Sequence, residues 1–118
     1  MASTKTAKTL LTSQSLAAAT AVSVTEWSMG TCYGGLACVK LTNGAAAPTT
    51  VPIIKFYVGE TTGTKRILYQ ISGDTVNSSV NDYVCEVPAS AMFCNITVTN
   101  GATNAITVEA YGQELTTI

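Results

Sequence analysis

Short apolar runs with a period of two recur from Ala21 almost to the end of this chain, each closed by turn chemistry, and no other feature restricts the fold as much. The runs fall at 21–28, 36–42, 53–58, 66–71, 83–87, 92–99 and 105–113. Between them stand Thr31 to Gly35, Asn43-Gly44, Gly59 to Gly63, Gly73-Asp74, Pro88-Ala89 and Asn100-Gly101. Alternation sends successive side chains to opposite faces of a sheet, the pattern of a half-buried strand. Short strands at this spacing predict an all-β chain, a single antiparallel β-sandwich or jelly roll of about 7–8 strands, rather than βαβ units. Twenty Thr and eleven Val argue the same way, because β-branched side chains lose χ1 freedom in helices and pack well on pleated sheets. Ser15 to Ala21 is the one stretch with helical character, and it is too short and uncapped to stand alone.

The densest signal is Tyr33 to Val58, YGGLACVKLTNGAAAPTTVPIIKFYV. Ala37, Val39 and Leu41 share one face against Cys38, Lys40 and Thr42; Ile54, Phe56 and Val58 share one against Lys55 and Tyr57. Asn43-Gly44 supplies residues that tolerate positive φ, and Pro48 and Pro52 belong in the connection. The stretch reads as one long β-hairpin. Ile96 and Val98, Asn100-Gly101, then Ile106, Val108 and Ala110 read as a closing pair of strands, with Thr97, Thr99, Thr107 and Glu109 on the solvent side.

The Gly-Gly, alternating strand, Thr-Asn-Gly, Ala-Pro-Thr and second alternating strand of 33–58, together with the C-terminal ITVEAYGQELTTI, resemble small all-β structural proteins of tailed-bacteriophage virions. The resemblance covers about half the chain and rests on turn and strand motifs. It implies a capsid decoration or cement subunit that stabilises the shell of the major capsid protein, on the capsid surface of a virion assembled in a host cytoplasm. A neck or tail structural protein of the same virion is the alternative within that resemblance.

At 118 residues the chain suits one domain, large enough to hold a core without metal or disulfide staples. Residues 1–20, rich in Thr, Ser and Ala, read as an N-terminal arm, and 21–118 as the sandwich. Lys5, Lys8 and Leu10-Leu11 before an Ala-rich stretch mimic a secretory leader, but Thr12, Ser13, Gln14 and Ser15 interrupt its apolar part. No run reaches the ~18 apolar residues of a membrane-spanning helix. Charged residues make up 11% of the chain, against about 25% in ordinary domains, which leaves a hydroxyl-rich, small-apolar surface suited to association. With a net charge of -1 and six scattered basic residues, the electrostatic footprint of a nucleic-acid binder is absent. Neither nucleic acid nor membrane is expected as a partner.

The chain has no His, which removes Ser-His-Asp and Cys-His catalysis. Asp74, Asp82 and Glu86 remain as carboxylates for a glycosidase-type pair, which needs a separation of about 5 to 10 Å; turn chemistry and a solvent-facing strand position account for them more simply. Gly59 to Lys65, GETTGTK, lacks the Walker spacing and reads as a hairpin turn. Cys32, Cys38, Cys85 and Cys94 form no CxxC pair; Cys94 alternates with Ile96 and Val98, and Cys85 with Tyr83 and Val87, as small buried hydrophobes do. Asn77 and Asn95 head Asn-x-Ser/Thr triplets that carry weight only in a secreted chain. No catalytic residue, cofactor or metal is expected.

Contact residues are the remaining candidates. Leu10, Leu11 and Leu16 would let the arm add a strand to a neighbour's open sheet edge, and Trp27 with Met29 lies on the face opposite Val22 and Val24, where an interface anchor would sit. A bulge near Glu26 would instead turn Trp27 into the domain's own core. A cyclic homo-oligomer, with a trimer as first guess, suits a symmetric shell. Tyr33-Gly34-Gly35 reads as a turn or bulge before a strand, with a ligand platform as its alternative. Five tyrosines and polar loops make a carbohydrate- or receptor-binding module the reading from a different class.

Overall fold

The computed structural model describes residues 4–117, and among them every regular element is a strand. In chain order these are β1 Thr4–Leu16, β2 Ala21–Ser23, β3 Trp27–Ser28, β4 Gly35–Asn43, β5 Ile53–Gly59, β6 Arg66–Ser72, β7 Val80–Val87, β8 Phe93–Thr99 and β9 Ile106–Thr117. One sheet has the order β1-β9-β4-β7, the other β2-β8-β5-β6, with β3 also paired to β8. All pairings are antiparallel. Since β2 and β3 occupy one position along β8, the architecture is an eight-position jelly roll. Loops 29–34, 60–65 and 88–92 gather at one end, and 17–20, 44–52, 73–79 and 100–105 at the other.

Period-two alternation positions the core as expected. Ala37, Val39 and Leu41 of β4, Ile54 and Phe56 of β5, Cys94, Ile96 and Val98 of β8, and Ile106, Val108 and Ala110 of β9 are all buried in one cluster between the sheets. Pairing departs from expectation. The stretch 33–58 is not a hairpin: β4 pairs with β7 and β9, β5 with β6 and β8, and the two lie in opposite sheets. The closing pair is likewise split, β8 in one sheet and β9 in the other. Alternation decides which face a side chain takes but says nothing of the neighbouring strand, and both connections are long enough to turn a corner. The turn at GETTGTK does join a true hairpin, β5 to β6, with Gly63 at φ 79°.

Each of these two turns is a corner built round a buried asparagine. Asn43 Nδ2 donates to Asp74 Oδ1 at 2.8 Å and to the Val76 carbonyl at 2.9 Å. Asn100 Nδ2 donates to the carbonyls of Leu16 at 3.1 Å and Asn104 at 3.0 Å. The two corners are tied to each other, Thr49 N to Ala102 O at 2.8 Å and Asn104 Nδ2 to Ala47 O at 3.0 Å. Buried backbone groups at a corner have lost their ladder partners, and these amides replace them.

The proposed arm is corrected over residues 4–16. They form β1, an edge strand hydrogen-bonded along β9 of the same chain; residues 1–3 of that arm lie outside the described residues. Three register shifts interrupt the pairing, between Thr4/Lys5, Thr9/Leu11 and Leu11/Gln14. A bulge changes which face follows, so Leu10 is buried and its neighbour Leu11 also packs on the core.

Candidate functional site

None of the five candidate interface residues is offered to a partner by this chain. Leu10, Leu16, Trp27 and Met29 are buried in the core and Leu11 is half-buried against it. For Trp27 the bulge reading holds. Ser23 pairs with Thr97 and Trp27 with Cys94, so four steps on one strand match three on the other. The extra residue brings Val24 and Trp27 to the same interior. Trp27 then lies over Gly112, where an added Cβ would stand 2.8 Å from the ring. Its Nε1 donates to Glu114 Oε1 at 3.1 Å, and Glu114 pairs with Lys8 at 3.2 Å. Glu26, on the outward side of the bulge, accepts from Asn95 Nδ2 at 3.0 Å and Gly63 N at 3.0 Å; these bonds, Asn95 foremost, hold its carboxyl below the usual range.

The sheet edges and one end of the sandwich are what remain open. β6 and β7 are the free edges of the two sheets on one flank, joined by 73–79. Ile67 on β6, Val76 in the connection, and Val80 and Val84 on β7 are the four most exposed large apolar side chains among the described residues, at 51% to 63%. Neither strand contains Pro or Lys; the charges along these edges are Arg66 at the start of β6 and Asp82 and Glu86 on β7.

At the end opposite the asparagine corners, the start of β4, the ends of β7 and β9 and the start of β1 line an open, shallow cleft of about 450 Å³. Tyr33, Leu36 and Pro88, all exposed, and Leu115, half-buried, line it together with Lys5, Glu86 and Gln113. The Tyr33-Gly34-Gly35 turn makes this geometry. Gly34 takes φ 77°, which favours glycine. Tyr33 N donates to Leu115 O at 2.7 Å and Leu115 N to Gly34 O at 3.0 Å. A smaller depression of about 180 Å³ lies between Gly59, Arg66 and Pro88. Of the cleft residues, sequence reading weighs Tyr33 and Gly35 within a turn that has a ligand platform as its alternative, and Glu86 as a carboxylate candidate.

Glu86 lies too far from both Asp74 and Asp82 for a pair of the glycosidase kind, and Asp74 is engaged by its own loop. Asp74 accepts from Ser79 Oγ at 2.7 Å, Asn81 Nδ2 at 2.6 Å and Val76 N at 3.2 Å. These bonds, Ser79 first, hold it below the usual carboxylate range, and its oxygens serve the loop. Glu86 stands five residues along β7 from Asn81, roughly 16 Å at strand rise. Asp82 and Glu86, four apart on one face, are about 13 Å apart. Cys32, Cys38, Cys85 and Cys94 are free thiols; burial pushes Cys94 up to about 12. No group of three or more metal-ligating side chains occurs among the described residues.

No protein-family model and no curated protein matches the chain. Solved structures do. A subunit of Bacillus endospore appendages, described as disulfide-linked pili, is similar over 100% of this chain and 93% of its own, at 16% identity and a TM-score of 0.58. The SPBc2 prophage-derived protein YomS is similar over 96% of each chain, at 18% identity and a TM-score of 0.50. A chain of infectious bursal disease virus is similar over 97% of this chain and 33% of its own, at 6% identity and a TM-score of 0.63. At such identities the shared property is the fold alone, an antiparallel β-sandwich.

Proposed function

We propose that this chain is a structural subunit of a virus particle, a capsid decoration subunit that binds the major capsid protein or another virion structural protein and acts by contact rather than turnover. The observation that carries the reading is the β6–β7 flank, where two unpaired strand edges coincide with the most exposed apolar side chains. An open edge offers a row of main-chain donors and acceptors to an added strand, and apolar neighbours supply burial. The virion context is supported by the motif resemblance of 33–58 and by fold similarity to viral and prophage-derived proteins. Repetition on a symmetric shell would multiply a modest contact, and a cyclic homo-oligomer, a trimer first, would match that symmetry.

The test is made on purified particles. Ile67→Lys and Val84→Lys change exposed side chains, so the fold is retained while an edge gains a charge. Both variants are expected to remain monodisperse and to lose particle binding in a pelleting assay. Unaltered binding by both would overturn the flank as the contact. Quantitative mass spectrometry of the particle separates a lattice-wide decoration subunit from a neck or tail protein confined to a single ring.

A further inference from the structure

We infer that the cleft at the Tyr33 end is a saccharide-binding site, a property independent of where the protein sits on a particle. Four polar side chains line it, Lys5, Tyr33, Glu86 and Gln113. Among the described residues, none of the four makes a side-chain hydrogen bond or ion pair. Lys5 and Glu86 carry opposite charges on one cleft and yet are unpaired. Of the other charges, Lys8 is engaged with Glu114, Arg66 with Glu60, Glu26 with Asn95 and Asp74 with Ser79, whereas Lys40 and Lys55 make no such contact among the described residues. What sets Lys5 and Glu86 apart is that opposite charges line one 450 Å³ cleft, both exposed and open to hydrogen bonds from a ligand.

The ligand class follows from how that capacity is arranged. Lys5, the Gln113 amide and the Tyr33 hydroxyl donate; the Glu86 carboxylate and the Gln113 oxygen accept. Leu36, Pro88 and Leu115 add apolar surface to the same cleft and Tyr33 an aromatic ring. A pyranose ring is apolar on its C–H faces and polar round its rim, which matches an amphipathic aromatic with convergent polar groups. The platform is preorganised, because main-chain bonds on both sides of Gly34 pin the turn to β9, so little ordering is needed on binding. A peptide is the weaker fit: Gly35, Leu36 and Gln113 belong to β4 and β9, each paired on both sides, and the open edges of β7 and β1 border the cleft only at Glu86–Val87 and at Lys5. A nucleotide is weaker still, with one cation offset by a carboxylate.

The experiment is an amide-resolved NMR titration of the full chain with hexoses, N-acetylhexosamines and uronic acids, as monosaccharides and trisaccharides. At least one probe is expected to shift amides confined to 33–36, 86–89 and 113–115. Tyr33→Ala is expected to weaken that binding about tenfold, and the isosteric Glu86→Gln, which leaves the turn intact, to weaken it severalfold. Ile67→Lys, on β6 of the other sheet and outside the cleft lining, is expected to leave it unchanged, so failure here and failure of the particle contact are read separately. No shift from any saccharide, shifts outside the cleft, shifts given only by a peptide panel, or full binding by both cleft variants would overturn the proposal.

Discussion

Gly112→Ala is expected to destabilise the fold, against the usual sign for a Gly to Ala change in a strand. At a compatible φ and ψ the added methyl restricts the unfolded chain and stabilises by about 0.4–1 kcal/mol. Here the new Cβ would stand 2.8 Å from Trp27 Cη2, 3.0 Å from Cζ3 and 3.2 Å from Cζ2. The ring cannot readily withdraw, being fully buried and held by its bond to Glu114. Overpacking of this kind costs about 1–3 kcal/mol, so the net loss is about 1–2 kcal/mol. With a urea slope near 1–1.5 kcal/mol per molar for a small domain, the midpoint falls by about 1 M. Urea titration followed by circular dichroism measures it, and Trp27, the sole tryptophan, gives an independent fluorescence record. The clashing atoms belong to the outer ring of the indole, which phenylalanine lacks. Trp27→Phe combined with Gly112→Ala is therefore expected to cost about 1 kcal/mol less than the two singles added together. A stabilised Gly112→Ala, or strict additivity in the double variant, would refute the packing argument.

Three further outcomes follow from the same structure. Asp74 is held below the ordinary carboxylate range in the folded state, so its contribution is present above the unfolded value and lost as pH falls through the folded one; the stability gap between wild type and Asp74→Asn in urea titrations should be full at pH 7 and close below about pH 4. Leu10→Ala and Leu16→Ala should each lower stability by about 2–5 kcal/mol in thermal or urea unfolding, whereas residues of a free arm would be neutral. With a thiol reagent at pH 8, Cys38, half-exposed beside Asp82, should label first, and Cys94, pushed up to about 12, should label last, as peptide mass mapping would show.

Strand existence and strand faces were legible because both depend on local chemistry. β-branched residues alternate through β4, β5, β8 and β9, and the buried members are those the alternation selects. What alternation cannot carry is the partner, since a strand with one apolar face satisfies a hairpin or a sheet-crossing corner equally well. The deciding residues at the corners, Asn43 and Asn100, look like turn formers in sequence, and their buried amides work only because distant carbonyls, Val76 and Leu16, arrive beside them. The cleft shows the same limit. Tyr33-Gly34-Gly35 marks a special backbone locally, but Lys5 and Gln113 reach it from opposite ends of the chain.

The elements that escaped sequence reading share one physical cause. β1 and the β2–β3 strand both carry an inserted residue relative to their partners, and one insertion exchanges the faces of everything beyond it. Leu10 and Leu11 then look too close together, and Val24 and Trp27 appear to lie on opposite faces, when each pair packs on a single core. Such irregularity has a consequence for the outer edge. β1 is shifted in register three times along β9, which breaks the even spacing an added strand needs, whereas β6 carries one shift and β7 none. Of the sheet edges, the flank that keeps its ladder regular is also the one that keeps its apolar side chains exposed. A partner that adds a strand is therefore directed to β6–β7 and away from β1.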